Sequence, residues 1–466
     1  MTAGHLDSLR RIAPLAWPVF VGQLAVLAFS TIDTMLVARY SAIDLAALAL
    51  GAAIYTTVFV GLMGVVMAIA PVVGQLYGAG RLEEAGDQLH QSVWLALALL
   101  LVGDLVLLFP DPFLTLSNTT PEVEAKVRGY LRALAFSLPP ALLFTAYRGF
   151  NTAVSRPKAV MALQLGGLAL KVPLSLLLIH GQDFAAWRLP ALGAVGCGVA
   201  TAIVMWAQAL IALALLRRDR FYAPFGLQRG GLHPPRAAAL KRLLKLGLPM
   251  GGSILIEVTG FTFMAIFIAR LGATAVAGHQ LAANLVALMF MAPLALANAT
   301  GTLVAQRVGA HEAADARRLG WHGLEIALAL ACAVGGLLFF GRAQVLGLYT
   351  HDPAILAAAM PLLAWAWLFH IGDAGQTLAA FVLRAHHISV APLLIYALAI
   401  SGLGLGGGYF LAFGAGKVHA GWVPAALHGA PGFWAAATAG LLLAALALGG
   451  LLGWVHRQEA REAGQA

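Results

Sequence analysis

Residues Lys245 to Arg270 read KLGLPMGGSILIEVTGFTFMAIFIAR, an apolar run with a single acid, Glu257, near its middle. As an α-helix the run from Leu246 to Ala269 spans roughly 35 Å, against a hydrocarbon core of about 30 Å, so Glu257 falls close to a bilayer midplane. A carboxylate at that depth costs at least about 2.5 kcal/mol on insertion scales, and such residues face a bundle interior or a water-filled cavity. Glu257 is therefore a candidate functional residue. The competing reading is a structural acid hydrogen-bonded to a neighbouring helix.

The rest of the chain has the composition that a membrane span requires. Of its 466 residues 61% are hydrophobic and 11% charged, whereas soluble chains carry about 25% charged residues. Twelve apolar runs, at 12–38, 46–75, 91–110, 130–147, 159–180, 191–216, 243–269, 276–304, 321–341, 354–383, 390–413 and 432–456, are each long enough to cross a bilayer. The expected fold is an all-α integral membrane protein of twelve transmembrane helices. The first run is too long for the core of a signal peptide and is expected to stay as the first span. Cys197 and Cys332 both lie in apolar runs, which excludes a disulfide framework and a cysteine metal site.

The formal charge of +9 belongs to topology rather than to nucleic acid, because the basic residues are scattered over short loops. With both termini in the cytoplasm, 20 of the 29 Lys and Arg fall on that side, 8 on the other, and Lys171 within a span. That distribution follows the positive-inside rule. The polar, proline-containing loop after the sixth run divides the chain into an N-lobe at 1–220, a cytoplasmic linker at 221–242 and a C-lobe at 243–466.

The two halves repeat at a spacing of 231 residues. Leu15 answers Leu246, Pro18 answers Pro249, Arg39 answers Arg270, and Gln75-x-x-Gly78-Ala79 answers Gln306-x-x-Gly309-Ala310. Arg148 and Pro157 parallel Arg384 and Pro392 at spacings of 236 and 235. Two six-helix bundles of the same orientation follow, related by an axis along the membrane normal. Repeats of this kind hold a substrate site between bundles that move against each other.

Besides Glu257, acids within apolar runs are Asp33, Asp104, Glu325 and Asp373. Asp104 and Glu325 lie within two turns of their span ends and read as rim residues. Asp373 lies deeper, in company with Trp365, Trp367, Phe369, His370 and Gln376. Two desolvated acids that are neighbours repel when ionised, so such a pair takes up a proton or a metal cation readily. An organic cation beside it competes for the same charge, which is a minimal antiport mechanism. Phe261, Phe263, Phe290, Met264, Met289, Met291 and Trp367 are candidates for a soft apolar wall, since aromatic faces attract cations and methionine adapts its shape. Asp33 has no acidic partner at depth; Lys171, mid-span in the fifth run, is its candidate ion-pair partner. Gly402-x-Gly404-x-x-Gly407 matches a dinucleotide fingerprint by spacing, but in an apolar helix it reads as helix packing.

These residues resemble the multidrug and toxic compound extrusion (MATE) family, bacterial NorM-like branch. The resemblance rests on WPVFVGQLAVLAFSTIDTMLVAR at 17–39, the Gln75/Gly78 and Gln306/Gly309 repeats, ALGAVGCGVATAIV at 191–204, and Glu257 with Asp373. It implies a monomeric transporter of the bacterial inner membrane, without a cofactor. Its expected activity is export of small organic cations in exchange for protons or sodium ions. Glu257 and Asp373 match the family's C-lobe cation site, where sodium is one possible ion. Asp33 matches the N-lobe acid, Asn284 a polar residue of the eighth helix, and Pro18 the bend of the first helix. The sequence departs from the family where Lys171-Val-Pro-Leu-Ser175 replaces an asparagine-rich stretch and where Phe369 replaces a tyrosine, which favours protons. A lipid-linked oligosaccharide flippase is the alternative within the same superfamily; an intramembrane enzyme lacks a nucleophile or metal constellation, and a channel fits the paired lobes less well.

Overall fold

The computed structural model describes residues 3–117, 119–183, 188–228, 230–414 and 423–463. Its helices are α1 (Ala3–Tyr40), α2 (Ala42–Val66), α3 (Ile69–Gly78), α4 (Leu82–Leu108), α5 (Asp111–Ser117), α6 (Pro121–Ala153), α7 (Pro157–His180), α8 (Ala194–Arg218), α9 (Ala237–Ala269), α10 (Ala273–Gly309), α11 (Ala313–Tyr349), α12 (Pro353–Ala385), α13 (Val390–Tyr396), α14 (Gly407–Tyr409) and α15 (Ala430–Ala463). Between α13 and α14, and again after α14, the chain widens into π-helix over Ala397–Gly406 and Phe410–Gly414. A two-residue antiparallel ladder, Gln182–Asp183 with Arg188–Leu189, follows α7.

Among the described residues, eleven helical segments are long and apolar enough to cross a membrane, with α2 and α3 sharing one. The twelfth span of the sequence reading is α6, whose apolar middle is diluted by Pro139, Pro140 and Arg148 and whose first turns carry Glu122, Glu124, Lys126 and Arg128. Helix form is what the bilayer demands, because it satisfies every backbone group within the segment. Hydroxyls buried along the spans return to their own helix: Thr145, Thr259 and Thr438 donate to the carbonyls of Ala141, Leu255 and Trp434.

The chain forms two compact units, one of Val21–Gly251 and one of Met1–Phe20 with Gly252–Ala466. A cut at the central loop is therefore not the division found. The boundaries fall inside α1 and α9, two residues after Pro18 and Pro249, the prolines that the repeat aligns. Each unit is built on an equivalent helix: α6 packs on α2, α4 and α8, and α12 packs on α10, α11 and α15. The repeat reaches the turns as well. Gly80 and His311, 231 residues apart, both adopt left-handed φ, at 74° and 61°, and each turn closes a long-range bond, Arg81 N–H to Leu76 O and Glu312 N–H to Arg307 O. These are Schellman-type helix ends.

The segment read as a linker, 221–242, is tied to the Val21–Gly251 unit. Tyr222 and Phe225 are buried in its core, Tyr222 Oη donates to Asn151 Oδ1 at 2.6 Å, and Gln91 holds the loop through Pro234 O at 3.0 Å and the Arg236 N–H at 2.8 Å. Asp219, beside it, accepts from the Phe221 N–H and pairs with Arg156, which together hold its carboxyl below the usual range. In the other unit the first turns of α1 are pinned to α11: Arg11 forks onto Asp315 at 3.1 and 2.8 Å, Ser8 Oγ lies 2.8 Å from His322 Nδ1, and His5 meets Glu325. Glu325 is thus exposed and paired, as a rim residue.

Within the Val21–Gly251 unit, α7 and α8 approach so closely that backbone groups do the joining. Leu192 and Gly193 N–H donate to the orphan carbonyls of Leu178 and Ile179 at 3.0 and 3.2 Å. Asp44, which pairs with Lys126 at 2.9 Å, accepts from the Ala194 N–H at the start of α8. A Cβ on Gly196 would meet Leu178 O at 2.5 Å, whereas one on Gly166 would meet nothing within 4 Å. Gly196→Ala is therefore expected to lower stability by about 1–3 kcal/mol through overpacking, while Gly166→Ala leaves it unchanged or raises it, since alanine is the better helix former. Thermal melting of both variants in detergent checks this; a Gly196→Ala protein that melts at or above wild type would contradict the close approach.

Candidate functional site

Two buried clusters of ionisable groups stand out, one in each unit. In the unit of Met1–Phe20 and Gly252–Ala466, Glu257 on α9 and Asp373 on α12 meet at the side chain of Gln376, one turn beyond Asp373. Gln376 is fully buried, and its Nε2 lies 3.1 Å from Glu257 Oε1, 3.0 Å from Asp373 Oδ1 and 2.9 Å from Thr377 Oγ1. An amide nitrogen carries two hydrogens, so three acceptors share two donors. Tyr396, at the end of α13, donates its hydroxyl to Gln376 Oε1 and so fixes which way the amide points. Arg384, two turns further along α12, is buried and within electrostatic reach of Glu257 and Tyr396.

Glu257 also faces a small, partly open recess with room for little more than water. Phe261, Met264 and Phe369 line it, as the sequence suggested, with Phe261 edge-on to Phe369 at 5.7 Å. The remaining wall comes from segments the sequence did not mark: Ile400, Gly404 and Leu405 of the π-helical stretch and Phe433 and Ala437 of α15. A Cβ on Gly404 would make only ordinary contact, 3.5 Å from Ala437 Cα. The other expected wall residues lie elsewhere. Asn284 is exposed and accepts from Tyr349 Oη at 3.4 Å. Trp367 packs on Phe339 at 5.5 Å and covers Gly335, His370 is buried one turn before Asp373 with Nδ1 unpartnered, and Phe290 is half-buried outside the recess. Their periodicity on α10 and α12 gave no sign of which face turns to α9.

In the Val21–Gly251 unit, Lys171 Nζ lies 3.0 Å from Asp33 Oδ2, and Lys171 is fully buried. The ammonium has three hydrogens and finds three acceptors: Asp33, Cys197 O at 2.9 Å and Thr201 Oγ1 at 2.7 Å. Ser175 Oγ donates to Asp33 Oδ1 at 3.3 Å. The charge is balanced and its hydrogen bonds are complete. Thr201 and the Cys197 carbonyl were not foreseen; they arrive through the close α7–α8 contact that Gly196 allows. Arg384, Tyr396 and Thr377 were missed as well. Arg384 falls just outside the apolar run at 354–383, although its match to Arg148 in the repeat marks it as part of the fold.

The MatE family description matches residues 18–177 and 249–410, two stretches that begin at the two helix prolines. The chain is 42% identical over 444 residues to a probable multidrug resistance protein NorM of Aromatoleum aromaticum, covering 95% of this chain and 93% of that one. It is 36% identical over 445 residues to multidrug resistance protein NorM of Vibrio cholerae, covering 95% of each. In fold it is similar to the eukaryotic MATE transporter AtDTX14, with a TM-score of 0.85, 17% identity and 99% of each chain covered.

Because Lys171 and Asp33 complete each other, removing one leaves an uncompensated charge in a dry site, at a cost of about 3–5 kcal/mol. Lys171→Met is expected to lower the melting temperature by many degrees, and Asp33→Asn in addition is expected to recover most of that loss. A double-mutant cycle read by thermal melting measures the coupling; purely additive losses would show that the pair does not act as a unit.

Proposed function

Because the chain belongs to the MatE family, in its NorM-like branch, we propose that it is a secondary active exporter that exchanges amphipathic organic cations for protons across the bacterial inner membrane, with both termini cytoplasmic. The observation that carries this reading is the meeting of Glu257 and Asp373 at Gln376. Two carboxylates and the nearby Arg384 leave one negative charge in excess. One monovalent cation discharges it, and an organic cation drawn to the same charge expels that ion. Alternation between the two occupants is antiport.

The ion is the proton for two reasons. Gln376 places a donor hydrogen, not an oxygen, between the carboxylates, and Phe369 supplies no oxygen where a sodium ion would need one. A proton needs a single acceptor. The recess beside Glu257 has room for water next to the acid. Asp33 takes no part in coupling, because Lys171 already neutralises it. A flippase for lipid-linked oligosaccharides would call for a basic wall, whereas the only charged residue lining the recess, among the described residues, is Glu257.

Ethidium efflux from liposomes tests the proposal, with wild type, Glu257→Gln and Asp373→Asn driven by a pH gradient or by a sodium gradient. The pH gradient alone is expected to drive the wild type, and each variant to lose at least about tenfold in rate, as expected when an intramembrane acid of the pathway is removed. Efflux by both variants within twofold of wild type would remove these acids from the mechanism. Drive by sodium alone would replace the proton with sodium.

A further inference from the structure

Three groups of histidines and acids lie close enough to share an ion, and they differ in what already fills them. His5, His322 and Glu325 are engaged with one another and with Ser8, and Glu325 is exposed. Asp87, His90 and His233 are half-buried to exposed, and Asp87 is ion-paired to Arg236. The third group is different. His386 caps the end of α12, where the chain reverses through His387 at φ 59°, and His456 and Glu459 stand one turn apart on α15. One donor atom from each lies within 4.8 Å of the others.

We propose that His386, His456 and Glu459 bind one divalent transition-metal ion, zinc foremost. His456 and the His386 side chain are each 4% exposed. His386 Nε2, both ring nitrogens of His456 and Glu459 Oε2 are buried without a hydrogen-bond partner. The one bond inside the group joins His386 Nδ1 to Glu459 Oε1 at 2.8 Å. Four buried polar atoms without partners, each costing stability, are a liability that a cation turns into coordination. Two imidazoles and a carboxylate are a donor set that zinc accepts, with a fourth position left for water. The His-x-x-Glu spacing presents both α15 ligands on one helix face.

Donors held about 2.1 Å from zinc stand about 3.4 Å apart in a tetrahedron, so small side-chain rotations draw the group together. Arg317, on α11, is turned to the carbonyl of His456 at 3.5 Å and leaves the ring nitrogens clear. Trp321 packs edge-on to the His456 ring at 6.0 Å and covers it. A bound ion fastens the end of α15 to the end of α12, two residues beyond Arg384. It thereby fixes the helix that carries Asp373 and Gln376.

The test uses the full chain, purified by a tag without histidines, stripped with EDTA and titrated with zinc against a chromophoric chelator. Wild type is expected to hold one equivalent that His456→Ala and Glu459→Gln each weaken at least tenfold. Zinc is expected to raise the melting temperature of wild type and not that of Glu459→Gln, which keeps the size of the side chain and carries the test if His456→Ala does not fold. X-ray absorption at the zinc edge of the wild type should show two histidine ligands with oxygen. No zinc uptake by wild type, or uptake undiminished in the variants, overturns the proposal.

Discussion

A charge inside hydrocarbon has to be met, because water is not there to meet it. That constraint organises both units and separates them. In the Val21–Gly251 unit the ammonium of Lys171 finds a carboxylate, a carbonyl and a hydroxyl, and nothing is left over. In the other unit Glu257 and Asp373 share one amide and have a single buried arginine within reach. The first arrangement is complete without a ligand; the second asks for a cation. Packing serves these arrangements: the close α7–α8 approach brings Cys197 O to Lys171, and Tyr396 orients the Gln376 amide between the acids.

The prolines give the constraint somewhere to act. Pro18 and Pro249 each remove a backbone hydrogen bond from the middle of a long helix, and the two compact units divide two residues after each. Leu243, Leu246 and Met250, before that point in α9, lie in the core of the Val21–Gly251 unit, while Met264, after it, lines the recess beside Glu257. Likewise Ile12 and Ala16 of α1 pack with α10, α11 and α12, held there by Arg11 and Ser8. One helix in each half therefore belongs to two cores.

The helices, the repeat and the deep acids were legible because each is a one-dimensional signal: span length, fixed spacing, and a charge where none belongs. Lys171 and Asp33 were legible together for the same reason, since each was too costly to stand alone. What was not legible needed a second helix. Trp367 and His370 share their run with Phe369, which lines the recess, and Asn284 lies on α10, which contributes nothing to it; only the contact of α12 with α10, α11 and α15 settles which way the α12 side chains face. The π-helical widening over Ala397–Gly406 leaves no mark in composition beyond its glycines, yet it supplies Ile400, Gly404 and Leu405 to the recess. The central loop looked like a linker because it is polar and rich in proline; a few aromatic anchors, Tyr222 and Phe225, were enough to build it into a core.

The repeat also shows that the two charged clusters are not copies of one ancestral site. At the spacing of 231, the position of Glu257 falls on Val26 and that of Asp33 falls on Met264, so the acids stand two turns apart on equivalent helices. At the spacing of 236, Asp373 falls on Ser137, whose hydroxyl is spent on Leu134 O, and at 235 Lys171 falls on Gly406 in the π-helical stretch. Asp33 and Glu257 thus share equivalent helices at different positions, while their partners Lys171 and Asp373 come from helices that do not correspond. Had both kept an uncompensated pair of acids, each would have demanded its own cation in every cycle. Pinning Asp33 with a lysine removes that demand from one unit, and leaves Glu257 and Asp373 as the acids without a matching countercharge in the other.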